Sequence, residues 1–220
     1  MQLSNLLRKQ SQPQKAGFFV AKNMGKAWKK LIDQPSSTEF EEVLCGHKLK
    51  FKVAPGVFSP QRIDDGSRLL LDNFKVQDGT MIADVGCGNG VIGFVVAKLN
   101  PKGYVHLLDV NLRAINLAKE NAYLNHLDNM EVYLSDLFSA VPDRSYHLIL
   151  SNPAQHQGNA FLEESVKESF KHLKNGGELI WVVQKHVRPY IERLFNKHFG
   201  NSTVLAYGKE HVVIRTTKSG

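Results

Sequence analysis

Asp84, Asp109, Asp136 and Asn152 each stand at or beside the end of an apolar run, in "MIADV", "YVHLLD", "EVYLSD" and "LILSN". Acids delivered to successive strand ends can accept hydrogen bonds from hydroxyl and amino groups of one ligand in one crevice. Gly86, Gly88 and Gly90 follow Asp84 directly. Glycines there permit positive φ and close approach of a ligand to the main chain, and the helix that follows starts with unpaired N–H groups. The dinucleotide pattern G-x-G-x-x-G fails, because its third glycine falls on Val91. An acid just ahead of the loop repels a pyrophosphate and suits a cationic ligand instead. Asn152 is followed by Pro153, so an amide is presented on a stiffened turn. No HExxH or CxxC spacing occurs, and no metal site is expected.

The elements that must position these groups alternate. After Gly79, strands at "TMIADVG", "YVHLLDV", "MEVYLSD", "SYHLILSN" and "ELIWVVQ" are separated by helical patterns. The helices read from "GVIGFVVAKLN", "NLRAINLAKENAYLNHL", "AFLEESVKESFKHL" and "VRPYIERLFNKHF". "STVLAYG" and "EHVVIRTT" close the chain as an antiparallel pair. That is an α/β sheet with helices on both faces. Ahead of it, 39–53 reads as a hairpin turning at Cys45-Gly46-His47, with Leu49, Phe51 and Val53 on one buried face. Asp64 or Asp65 caps a helix expected to reach about Phe74.

The charge is unevenly placed. Residues 1–32 hold seven basic residues, Lys26, Lys29 and Lys30 among them, and no acid. The remaining 21 basic residues balance the 21 acidic ones, so the formal +7 belongs to this stretch. A basic arm at 1–35 on a neutral body at 36–220 suggests a polyanion as partner. The longest apolar runs fall short of the ~18 residues of a membrane span, and two distant cysteines, Cys45 and Cys87, point to a reducing, cytoplasmic setting.

The run "DVGCGNG" resembles motif I of class I S-adenosylmethionine-dependent methyltransferases. With "PGVFSPQRIDDGSRLL", "LLDVNLRAINLAKENAYLN", "SDLF" and "SNPAQHQG" in this order, residues 39–218 resemble the methyltransferase small family. Its best-known members methylate the 2-amino group of guanine in ribosomal RNA. The resemblance implies a Rossmann-like, seven-stranded sheet in the order 3-2-1-4-5-7-6 with strand 7 antiparallel. It implies S-adenosylmethionine as cofactor, held by Asp84, Gly86, Gly88, Asn89, Gly90, Asp109, Val110, Asp136, Leu137 and Asn152. Asp109 then takes the ribose hydroxyls and Asp136 the adenine amino group. Phe58, Ser59 and Gly66 are expected to line the crevice. The Asn152 amide oxygen and the Pro153 carbonyl are expected to accept hydrogen bonds from the target amine.

Two departures stand out. Family members carry Asn-Pro-Pro followed by an aromatic ring that stacks on a flipped base. Here Ala154 and Gln155 take those places. The stacking, worth ~1–3 kcal/mol, then falls to His156 or Phe161, or Gln155 hydrogen-bonds a base edge instead. The best-known relatives also carry an extra domain of similar fold, and the basic arm is expected to take over part of its phosphate contacts here. The expected target is therefore RNA, ribosomal RNA or a ribosomal subunit. The alternatives are an amine of a small molecule or protein, and an RNA-holding protein without catalysis.

Overall fold

A computed structural model describes residues 38–53 and 63–220. The basic arm at 1–35, with Lys26, Lys29 and Lys30, lies outside the described residues, as do Phe58 and Ser59. The element order is β1 (Thr38–Leu44), β2 (His47–Val53), α1 (Asp65–Leu71), β3 (Met81–Val85), α2 (Val91–Leu99), β4 (Tyr104–Asp109), α3 (Leu112–Leu124) and β5 (Met130–Leu134). It continues with β6 (Tyr146–Ser151), a 3₁₀ turn (Gln155–Gln157), α4 (Asn159–His172), β7 (Leu173–Gln184), α5 (Arg188–Phe199), β8 (Thr203–Tyr207) and β9 (His211–Thr217).

Seven strands form one sheet in the order β5-β4-β3-β6-β7-β9-β8, and β9 is its single antiparallel strand. This is the order expected. One core, on the face carrying Ile82, Leu107, Leu148 and Leu150, packs against α1, α2 and α3. The other, on the face carrying Ala83, Val85, Ile149 and Trp181, packs against α4 and α5. The strand order reverses between β3 and β6, so the ends of β3, β4, β5 and β6, near Val85, Asp109, Ser135 and Asn152, open on one crevice.

The β1–β2 hairpin is fixed to this body in two ways. Phe51 is fully buried and stacks between Phe40 and Phe94, with ring centroids 5.4 and 6.1 Å away. Asn121 on α3 and Asn125, the residue capping its C-terminus one turn later, clip the edge of β2. The Asn121 amide accepts from Lys52 N at 2.6 Å and donates to Lys52 O at 3.0 Å. Asn125 does the same with Lys50, at 2.8 and 2.7 Å. Burial of Leu49, Phe51 and Val53, at ~1.5–3 kcal/mol each, outweighs such bonds at ~0.5–1.5 kcal/mol net. Burial holds the hairpin on, and the amide clips set its register. Asn121 also donates to Asn89 O at 3.3 Å, which ties the hairpin to the glycine loop.

Local boundaries differ in three places from the sequence expectation. The hairpin turns on two residues, Cys45 (φ 49°) and Gly46 (φ 80°), and His47 already belongs to β2. Positive φ at both centres is the I′ turn that matches strand twist. The helix α1 ends at Leu71 and not near Phe74, because Asn73 satisfies its last carbonyls, its N–H on Leu70 O at 3.0 Å and its amide on Leu69 O at 2.8 Å. The strand β7 begins at Leu173, directly after α4, and absorbs Gly176-Gly177 in an irregular stretch between the pairs Tyr146–Leu173 and Leu148–Glu178.

Candidate active site

A crevice of about 770 Å³ runs along the strand ends. Small-molecule sites span ~300–1,000 Å³, so it lies in the upper part of that range. Gly86, Gly88, Asp109, Val110, Asp136, Leu137, Asn152 and Pro153 all line it, as do Ala154, Gln155 and His156. The structure thus brings together most of the residues marked in the sequence. Beside it, a small chamber of about 50 Å³ is lined by Asp64, Ser67, Cys87, Asn89 and Asn152.

The glycine loop shows what kind of ligand the crevice takes. Gly86 (φ 73°) and Gly88 (φ 55°) have left-handed backbones with nothing within 4 Å of where a Cβ would stand. Their open sides leave room for a ligand against the main chain. Four of the loop's N–H groups are already spent on protein. Gly86 N and Cys87 N donate to Leu108 O, Gly88 N to Asp109 Oδ2 and Gly90 N to Cys87 O, at 2.8–3.1 Å. A phosphate cradle needs those N–H groups free, so this loop offers shape rather than charge.

Gly90 has a different role from its neighbours. It does not line the crevice. It is the left-handed cap of α2 (φ 93°), and a Cβ would stand 2.3 Å from the ring of Phe94. Asn89 is buried and reaches only the small chamber. Asp84 is 1% exposed and lines neither space. Its Oδ2 accepts from Gly93 N at 2.8 Å, and its Oδ1 has no partner. Burial pushes its carboxyl up to about 7; the Gly93 N–H opposes the rise and the Asp109 charge adds to it. Asp84 therefore lies beneath the loop, away from the crevice, and supports the first turn of α2. Cys87 is buried, and burial followed by the charges of Asp84 and Asp109 raises its thiol. It is a filler and not a nucleophile.

The opposite rim is built to present acceptors. Asp109 ends β4 with one oxygen on Gly88 N and the other on Asn111 N, both at 2.8 Å. Each oxygen keeps a lone pair for a hydroxyl. Val110 beside it is 59% exposed, an apolar face at the mouth of the crevice. Asp136 is exposed on a turn that Ser135 and Ser139 hold closed. Ser139 Oγ accepts from Asp136 N at 3.0 Å, and Ser135 Oγ donates to Leu137 O at 2.8 Å. These bonds maintain Leu137 at φ 46°, a conformation that costs a non-glycine residue on the order of 1 kcal/mol or more.

The "SNPAQHQG" loop forms the wall between. Asn152 donates its amide N–H to Asp64 Oδ1 at 3.1 Å and to Ser67 Oγ at 3.3 Å. Pro153 O accepts from Gln155 N at 2.8 Å across Ala154 (φ −70°, ψ 76°), an inverse γ-turn, so one of its two lone pairs is taken. Gln155 is also engaged. Its Oε1 accepts from Gln184 N on β7 at 3.0 Å, which staples the loop to the sheet and leaves only the amide N–H groups for a base edge. His156 and Phe161 both line the crevice, as the sequence allowed. His186 and His211 line it too, and nothing local in the sequence marked them. Lys185 is exposed at the turn after β7, while Arg188 is engaged by Glu192 and the Tyr207 hydroxyl. Gly66 does not line the crevice. It is buried, and a Cβ there would stand 3.0 Å from Asp64 Oδ1 and 3.2 Å from His211 Cδ2. Among the described residues, no group of three or more His, Cys, Asp or Glu side chains is placed to hold a metal ion.

Residues 48–215 match the methyltransferase small domain. The chain belongs to the methyltransferase small family. Its fold is that of a class I methyltransferase, and S-adenosylmethionine is the cofactor. The residues present fit that group: open glycine backbones, two acceptor carboxylates at the rim and the exposed face of Val110. Within the family the chain is 39% identical over 174 residues to the uncharacterized protein YbxB of Bacillus subtilis, covering 76% of this chain and 85% of that one. It is 35% identical over 173 residues to ribosomal RNA small subunit methyltransferase C of Hamiltonella defensa, covering 77% of this chain and 50% of that protein. Among solved structures, the T. thermophilus 16S rRNA N2 methyltransferase in complex with AdoMet and guanosine superposes with a TM-score of 0.77 at 23% identity. That match covers 84% of this chain and 51% of the other, and is a likeness of fold. The chain spans about half the length of these named ribosomal RNA methyltransferases.

Proposed function

We propose that the protein transfers a methyl group to an exocyclic amine of a base in structured RNA, with guanine in ribosomal RNA as the first candidate. The observation that carries this reading is the Asn152 amide. Both of its hydrogen-bonding N–H contacts go to Asp64 and Ser67, so its carbonyl oxygen is the group left for a ligand. Beside the crevice, that oxygen suits a target presenting an N–H donor. The names of the relatives supply the substrate class, ribosomal RNA, and the basic stretch 1–32 supplies a contact for phosphates.

S-adenosylmethionine, when bound, supplies a methyl group on a sulfonium that leaves as a neutral thioether. The protein's own work is positioning. Asp109 and Asp136 would hold the nucleoside end by accepting hydrogen bonds. Asn152 Oδ1 and the second lone pair of Pro153 O would take the N–H groups of the target amine and so orient its nitrogen lone pair, and the proton the amine gives up on methylation would pass to solvent. Phe161 and His156 offer flat surfaces where family members use the aromatic of the loop. The setting is cytoplasmic, where ribosomal subunits are assembled.

The test is transfer of a labelled methyl group to separated ribosomal subunits and to deproteinised RNA. Label is expected in one RNA species and lost with Asn152→Ala, while cofactor affinity is retained. Removal of residues 1–32 is expected to weaken RNA binding and to flatten its dependence on salt. Cofactor binding without label in any RNA overturns the RNA reading and moves the target to an amine of a small molecule or protein.

A further inference from the structure

The segment Asp64-Asp65-Gly66-Ser67 opens α1, far in sequence from the amide loop. Asp64 caps the helix by accepting from Ser67 N at 2.9 Å. A cap needs one acceptor and one backbone N–H. Here the same Oδ1 takes a second donor, the Asn152 amide, 88 residues away, and Ser67 Oγ takes that amide at 3.3 Å. A carboxylate can only accept, so the group facing it must be the amide N–H₂. An asparagine amide otherwise has two orientations related by a flip, and one of them turns its donors toward the ligand. Gly66 belongs to the same device, because a side chain there would press on Asp64 Oδ1.

We propose that Asp64 and Ser67 are positioning residues for the transfer reaction. Together they lock the Asn152 amide with its carbonyl oxygen toward the target, so that the site accepts an N–H donor and rejects a group that can only accept. This rests on the methyl-transfer reading above. The lock is formed by the protein's own side chains, and Asp64 and Ser67 line the small chamber beside the crevice and not the crevice itself.

The variants separate the lock from the cap. Asp64→Ser retains a good helix cap but is too short to hold the Asn152 amide as well. Asp64→Asn keeps an acceptor of the same reach. Ser67→Ala removes the second acceptor and leaves the cap's backbone N–H in place. Single-turnover methyl transfer to the labelled RNA gives the chemical rate, and equilibrium titrations give affinity for cofactor and RNA. With Asp64→Ser, the rate is expected to fall roughly 10- to 100-fold, the scale of a misplaced reacting group. Thermal midpoint and both affinities stay close to those of the parent protein. Ser67→Ala gives a smaller loss in the same direction, and Asp64→Asn restores most of the rate. A rate within twofold of the parent in both Asp64→Ser and Ser67→Ala overturns the proposal, as does a loss explained wholly by weaker binding or unfolding. A parent protein that labels nothing overturns the methyl-transfer reading itself, which is a separate result.

Discussion

Asp84→Asn tests the placement of the acid ahead of the glycine loop. The carboxyl is 1% exposed, holds one N–H from Gly93 and leaves its other oxygen without a partner. Its ordinary value of 3.8 is raised to about 7, by burial first. The unfolded chain loses the proton near the ordinary value, and the folded one keeps it until about 7. Between those points the folded state binds more protons. The stability this group contributes is therefore full below 3.8 and is lost as pH rises through 7. Two pKa units lie between pH 5 and pH 7, and at 1.36 kcal/mol per unit the loss is about 2.7 kcal/mol. Asparagine keeps a carbonyl for Gly93 N–H and never ionises. Its buried amide N–H₂ lacks a partner and costs ~1–3 kcal/mol, at every pH alike. Urea denaturation of both proteins from pH 5 to pH 8 is the assay. The advantage of the parent over the variant should shrink by about 2.7 kcal/mol across that range. Two parallel profiles would refute the burial argument for Asp84.

Two further substitutions probe the loops. Ala154 already has φ −70°, the value a proline ring fixes, and its N–H donates to no group among the described residues, so Ala154→Pro puts the family's second proline in place without losing a hydrogen bond. It should raise stability by ~0.4–1 kcal/mol, read as a higher thermal midpoint, with methyl transfer retained. A lower midpoint would mean that the γ-turn does not tolerate the ring. Gly90→Ala combines a left-handed φ with a Cβ 2.3 Å from Phe94, a fully buried ring that stacks on Phe51. It should cost at least about 3 kcal/mol of unfolding free energy, read as a lower denaturant midpoint. A neutral result would show that the Phe94 ring moves freely.

The alternation of strands and helices was legible in the sequence because it is a local pattern of apolar spacing, and the acids were legible because each ends such a run. The glycine loop was recognisable from its place between a strand and a helix. The family-specific departures, Ala154 and Gln155, could also be read off, but their effect could not. That Gln155 staples the loop to Gln184 depends on a strand 29 residues further on. The separation of Asp84 and Gly90 from the crevice, while Gly86 and Gly88 line it, follows from how α2 packs over β3. A motif of adjacent letters does not reveal which of them face inward. The clips of Asn121 and Asn125 on β2, and the placement of His186 and His211 at the crevice, likewise leave no periodic signal. The orientation of Asn152 is the clearest case. The sequence supplies an amide on a stiff turn, and only the folded chain brings Asp64 and Ser67 from 88 and 85 residues away to decide which end of that amide meets the ligand. Local patterns are written by backbone geometry, which repeats every few residues; hydrogen bonds between distant segments obey no such period and form only once the sheet has brought their ends together.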